Sequence, residues 1–337
     1  MTSRERVIKT LEFDHPDRAP RDLWALAGVT MLRRSEYDRV VAKYSSDFVG
    51  PRCRYGASTR SQGTHAEVGR YTDEWGCEFT VAEIGVCGEV KNPPLADWNA
   101  LGTTWTVPWE LLDNADFSEV NSSCAATDQF VKVGTHTRPF ERMQFLRGTE
   151  NLFVDILTRS PEFMRLRDML HEFSLREMEM WAQTNVDAVG FMDDWGTQHS
   201  LLISPGDWRD LFKPLYKDYC DILKKAGKYV FFHSDGHTRA IIPDLIEIGV
   251  DALNTQIFCM DIEELGRQFK GKITFWGEIS RQDILPFGTV DEVRAAVRRV
   301  RHALDDGSGG VIAQCEWGIR DPIENIEAVF ETWLEPR

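Results

Sequence analysis

The chain has 337 residues, 42% of them hydrophobic and 28% charged, which is the balance of a globular protein with a large core and not of a disordered one. A formal charge of −15 leaves no broad cationic surface to displace counterions from phosphates, so no nucleic-acid partner is expected, although a single arginine still suffices for a small anion. No apolar run reaches the ~18 residues of a membrane span, and the opening MTSRERVIKTLEFDHPDR is too charged for a signal peptide, so no membrane association and a cytoplasmic location are expected.

In chain order, residues 19–24 (APRDLW) predict a first strand. Residues 45–127 are rich in Gly, Pro, Asn and Trp and lack any strand–helix rhythm, which predicts an excursion. Residues 130–134 (FVKVG) and 141–147 (ERMQFLR) predict two more strands. From about residue 180 short apolar runs alternate regularly with amphipathic segments. A strand over 187–192 precedes a helix over 205–225, with Ser204 as N-cap and Pro205 at the first position. Strands over 228–233, 251–256, 273–278 and 310–315 are followed by helices over 241–248, 262–269, 290–304 and 323–333. Three strands and five make eight. The expected fold is one (β/α)8 TIM barrel over 1–337 with an insertion, about 45–127, over the barrel mouth; no GxGxxG follows the first strand to favour a doubly wound sheet.

Strand C-terminal ends converge in such a barrel, and this chain repeatedly places polar and aromatic residues there. Asp193, Asp194 and Glu278 are candidate catalytic groups. His233 and Asp235, two residues apart, share one face of a strand end, and with Cys315 and Glu278 they offer a tetrahedral N/S/O set that suits zinc better than magnesium or calcium. Trp24, Trp195, Trp276 and Trp317, with Gln198 and Gln256, are candidate substrate contacts. Each has a plainer reading beside it: a hydrogen-bonded histidine, a buried thiol, core-packed indoles, carboxylates that cap a helix. Arg138, Arg142 and Arg147 pair either with substrate carboxylates or with the protein's own acids. The seven cysteines are scattered without a CxxC pair, which predicts reduced thiols.

The segment NVDAVGFMDDWG (185–196), the following LISP and FKPLY, the opening RERV and DRAP, and GIRDPIENI (318–326) together resemble the uroporphyrinogen decarboxylase superfamily. The resemblance implies a barrel, a homodimer, and one of two chemistries. True decarboxylases of that superfamily carry an arginine-rich run after the first strand and a Gly-His-Gly turn after the last. Here those places hold WALAGVT (24–30) and CEWG (315–318), so binding of a polycarboxylate is disfavoured. The zinc methyltransferases of corrinoid pathways instead carry His-x-Cys-Gly and a distant Cys, which His233, Gly236 and Cys315 match while Asp235 replaces the first Cys. The resemblance therefore implies a zinc-dependent methyltransferase that moves a methyl group from a small donor, such as a methoxylated aromatic, to a corrinoid (cobalamin) on a partner protein. The harder carboxylate ligand favours an oxygen- or nitrogen-bearing donor over a thiol. The competing readings are a metal-independent decarboxylase or other lyase, in which Asp193 and His233 do acid–base work on a carboxylated substrate, and a non-catalytic binding protein on the same barrel.

Overall fold

Alternate residues along the parallel strands fall into two separate apolar clusters, one inside a ring of strands and one between that ring and the helices. The computed structural model describes residues 1–336. Its strands are β1 (Arg21–Ala25), β2 (Phe48–Val49), β3 (Phe130–Gly134), β4 (Ala188–Met192), β5 (Tyr229–Ser234), β6 (Ala252–Thr255), β7 (Thr274–Trp276) and β8 (Val311–Trp317). Each pairs in parallel with its neighbour from β2 round to β8, and β8 pairs with β1. At the seam the Asp47 amide, just before β2, donates to the Arg21 carbonyl of β1 (2.9 Å). The fold is a (β/α)8 barrel.

The interior is filled by Phe48, Phe130, Ala188, Phe231, Ala252, Trp276 and Ile312, with Val7 and Leu11 of the helix Ser3–Leu11 packed against them. Large apolar side chains at these inward positions make the barrel a packed core with room only at one end. The seam has a polar clasp. Asp47, 1% exposed, accepts hydrogen bonds from Ser3 Oγ (2.7 Å), Arg6 Nη1 (2.7 Å), both Arg18 amino nitrogens (2.8 and 3.0 Å) and the Arg21 amide (2.7 Å).

The structure differs from the sequence expectation in three places. The second strand is Phe48–Val49, inside the stretch expected to be an excursion. Residues 141–147 are not a strand but part of the helix Pro139–Arg147, which is started by a distant carboxylate: the amides of Phe140 and Glu141 donate to Asp193 (2.8 and 2.7 Å). The helix expected over 205–225 breaks into Pro205–Leu211 and Lys213–Lys225, because Pro214 has no amide hydrogen for the turn between them. Ser204 does cap the first piece, accepting from the Asp207 amide (3.0 Å).

The chain between β2 and β3 forms an antiparallel sheet of Gly69–Thr72, Glu78–Val81 and Glu89–Asn92. It rests on the barrel helices through Trp75, which meets Phe173 edge-on (4.9 Å), and through Arg142, which pairs with Asp73 and lies over the Trp75 ring (4.8 Å). Among the described residues no helix is long and apolar enough to cross a membrane.

Candidate active site

β5 delivers His233 to the barrel interior, and the loops after β4 and β5 bring Asp194 and Asp235 to it. His233 Nε2 lies 3.5 Å from Asp194 Oδ1 and 3.5 Å from Asp235 Oδ1. One ligand atom from each of the three falls within 4.8 Å of the others. The histidine is oriented from behind. Its Nδ1 is 2.6 Å from Asn254 Oδ1, while the Asn254 amide nitrogen donates to the Trp276 carbonyl and to Gln314 Oε1 (3.2 Å). With its amide so fixed, Asn254 accepts from Nδ1–H, which leaves Nε2 directed at the carboxylates.

Burial opposes a charge on His233, but Asp194 and then Asp235 outweigh it and push its pKa up to about 9. Asp194 is held below the ordinary range: burial works against its charge, and the His233 bond overcomes it. Asp235 is raised by burial and then by the charge of Asp194. Arg281 pairs with Asp235 Oδ2 and with Glu316, leaving Asp235 Oδ1 buried with no hydrogen-bond partner.

The two ligand loops touch backbone to backbone. A Cβ on Gly196 would lie 2.4 Å from the His237 nitrogen, and one on Gly236 (φ +79°) would lie 2.3 Å from the Gly196 carbonyl. Only glycine permits this approach. Two strands along, at the end of β7, Gly277 (φ +75°) is equally constrained, since its Cβ would fall 2.0 Å from Gln314 Oε1. It leads into Glu278, a carboxyl 4% exposed that bonds no described residue, whose pKa burial raises to about 8 against the nearby Arg281.

Beside the ligand group lies a cavity of about 170 Å3 lined by Trp24, Lys132, Gly190, Met192, His233 and Trp276. The two indoles meet edge-on at 4.8 Å, and both donate through Nε1 to Asp22 Oδ2 (3.1 and 2.9 Å). Trp24 also leans on the His233 ring (5.3 Å).

The structure does not bring every sequence-nominated residue to this place. Cys315 belongs to the outer apolar cluster, whereas its neighbours on β8 face inward, Gln314 bonding Asn254 and Glu316 bonding Arg281. Strand alternation thus turns the thiol away from His233, and burial raises its pKa. Asp194 stands with the histidine instead. Trp317 faces the outer layer as well, donating to the Asp321 carbonyl (3.2 Å) under the Arg33 guanidinium. Trp195 is stacked on Phe140 (4.1 Å) and fully buried. Asp193 accepts from two helix amides and from Tyr216 (2.6 Å), so it organises the wall and does not point into the cavity. Gln198 and Gln256 bond each other (3.3 Å), and Gln256 also takes the Gly236 amide (3.1 Å), tying the loops beneath the ligand group. Arg142 and Arg147 are paired with Asp73 and Asp155, and Arg138 with Glu141. Sequence reasoning missed Lys132, Asn254 and Arg281; the first is a lone charge at an inward position of an apolar strand, which is a readable signal.

Comparison with solved structures places a methyltransferase from Methanosarcina mazei over 99% of this chain and 98% of its own, with a TM-score of 0.70 and 16% identity. A glycosylated endo-β-1,4-xylanase from Gloeophyllum trabeum covers 97% of this chain and 99% of its own at a TM-score of 0.48 and 10% identity. No curated protein sequence matches the chain. The family model for uroporphyrinogen decarboxylase (URO-D) matches residues 73–335, from within the antiparallel sheet through all strands from β3 to β8, and the chain belongs to that family.

Proposed function

We propose that this protein is a zinc-dependent methyltransferase that removes a methyl group from a small oxygen- or nitrogen-bearing donor and passes it to a corrinoid carried by a partner protein. The observation that carries the proposal is the group of Asp194, His233 and Asp235 beside an aromatic-walled cavity at the C-terminal end of the barrel. The donor set fits zinc. Two ligands at zinc distances in a tetrahedron lie roughly 3.4 Å apart, close to both 3.5 Å separations around His233 Nε2, and Asp235 Oδ1 is a buried acceptor with nothing bonded to it. Zinc bound there supplies a Lewis acid for the donor heteroatom.

The chain's own residues do the rest. Trp24 and Trp276 wall the donor and exclude water. Asn254 fixes the His233 ring. As the methyl carbon leaves for the acceptor, the electron pair of the broken bond stays on the donor heteroatom, and the Glu278 carboxyl, protonated at neutral pH, places a proton there. Exposed apolar side chains on the segments after β1 and β7, Leu26 and Phe287, offer the acceptor protein a footing at the mouth. The similarity to a methyltransferase fold over nearly the whole chain supports this reading over a porphyrinogen decarboxylase, and so does the lack of an arginine cluster in the cavity wall.

Elemental analysis of protein purified without chelator tests the proposal: about one zinc per chain is expected, and His233→Ala should lose both the metal and methyl transfer to a reduced corrinoid while keeping its circular dichroism. A metal-free protein whose activity ignores chelators would instead support the lyase reading.

A further inference from the structure

The cavity contains one cation that the proposed chemistry leaves unused. Lys132 extends from β3 into it, deeper than His233: the registers pair Lys132 with Ala188 and His233 with Met192, four residues further along β4. Its ammonium lies 4.4 Å from the centre of the Trp276 ring and 5.8 Å from that of Phe231. It forms no salt bridge and no hydrogen bond with any described residue; the charge that steadies it is Asp22, which is itself occupied by the two indole donors. Burial lowers the lysine pKa and Asp22 opposes that. A carboxylate, an indole hydrogen-bonded to it, and a cation on the face of that indole form one polarised stack. Its open end is an ammonium with unused donors facing an apolar cavity.

A half-buried ammonium set among aromatic rings loses part of its hydration, which no described residue restores, so it selects a ligand that brings an acceptor bearing negative charge. The volume sets the ligand's size. About 170 Å3 is close to the ~150 Å3 that accommodates a benzene ring in an engineered protein cavity. One lysine apart from the His233 group, with no arginine beside it, matches one anionic group at this end of the cavity and not several.

We propose that Lys132 is a specificity-determining residue that binds the carboxylate of a small monocarboxylic substrate, one six-membered ring or less in size, whose body lies between Trp24 and Trp276 and whose opposite end meets the His233 group. This rests on the methyl-transfer reading only for what happens at that opposite end; the carboxylate subsite stands on the cavity itself.

Calorimetric titration of the purified protein with benzoate and with its neutral isostere benzamide tests it. Benzoate should bind at least ten-fold more tightly than benzamide. Lys132→Met should abolish that preference and leave benzamide affinity within about two-fold, and Lys132→Arg should retain part of it; a thermal melt of each variant verifies folding. His233→Ala should keep the preference, because the carboxylate is held at the other end of the cavity. Equal binding of the two probes by the wild type, or no benzoate binding at millimolar concentration, overturns the proposal. So does a preference that survives Lys132→Met and disappears in His233→Ala, which would put the carboxylate on the metal ligands. A benzoate preference that depends on Lys132 in a protein without zinc or methyl transfer would refute the proposed function and uphold this subsite.

Discussion

Glu278 is buried and forms no hydrogen bond with a described residue, so burial more than any one neighbour holds its proton. Glu278→Gln keeps the shape of the protonated acid and removes the proton it can give. Turnover should fall by about 10²- to 10⁴-fold with little change in the dissociation constant of the donor, which single-turnover kinetics and titration would separate. The same residue gives chelator-treated protein a pH signature. In the unfolded chain the carboxyl titrates near its ordinary 4.5, and in the fold it keeps its proton to about 8. Its contribution to stability is therefore full below pH 4.5 and lost as pH rises toward 8, on the order of 1 kcal/mol per pH unit. Denaturant curves of wild type and Glu278→Gln from pH 5 to 9 should diverge with that sign; parallel curves would show that Glu278 is not so perturbed. His233 and Asp235 were legible in the sequence because two residues on one strand end must share a face. Cys315 was misread for a related reason. Which of Gln314, Cys315 and Glu316 points inward depends on how β8 registers with β1 and β7, and no local pattern in an all-buried strand records that.

At the scale of elements, the seam between β1 and β2 depends on side chains more than on ladder bonds. Asp47 collects donors from the helix Ser3–Leu11, from Arg18 and from the first residue of β1. Asp47→Asn would keep the size but leave Arg6 and Arg18 without their buried counter-charge, and should cost about 3 kcal/mol in urea unfolding. Burial disfavours the Asp47 charge, yet the Arg18, Arg21 and Ser3 bonds outweigh it and hold the pKa below its ordinary 3.8. Its stabilisation is thus present above that value and lost as pH falls through the lower folded pKa, so the wild type should lose its advantage over Asp47→Asn only in strong acid. β2 itself was invisible in the sequence because two residues carry no periodicity. The helix Pro139–Arg147 was taken for a strand because it is buried on several sides, with Phe140, Arg142, Met143 and Leu146 all covered, and because the group that starts it comes from the end of β4. The five strand–helix units of the second half were legible because each pairs an apolar strand with an amphipathic helix that covers it.

For the whole molecule, the chain between β2 and β3 is more than a long loop. It contributes Trp75, Cys77, Phe79 and Val81 to the same apolar cluster as the barrel helices, so its sheet shares a core with the barrel. Arg142 is the polar fastening of that contact, buried between Asp73 and the Trp75 ring. Arg142→Met fills the space but releases Asp73. Hydrogen exchange should then quicken across residues 69–81 while β4 to β6 exchange as before; acceleration throughout the barrel would mean that the two parts unfold together.

The contact between Gly196 and Gly236 bears on how the group of Asp194, His233 and Asp235 would meet the proposed metal. Asp194 and Asp235 ride on loops locked to each other by backbone approach, and Asn254 already orients the histidine between them. The conformational entropy of assembling the three side chains is therefore lost when the barrel folds, and would not be charged to the binding of an ion. On the proposed zinc reading, metal capture would be an exchange of a proton for a cation at a finished site, unlike small zinc domains in which binding and folding are one event.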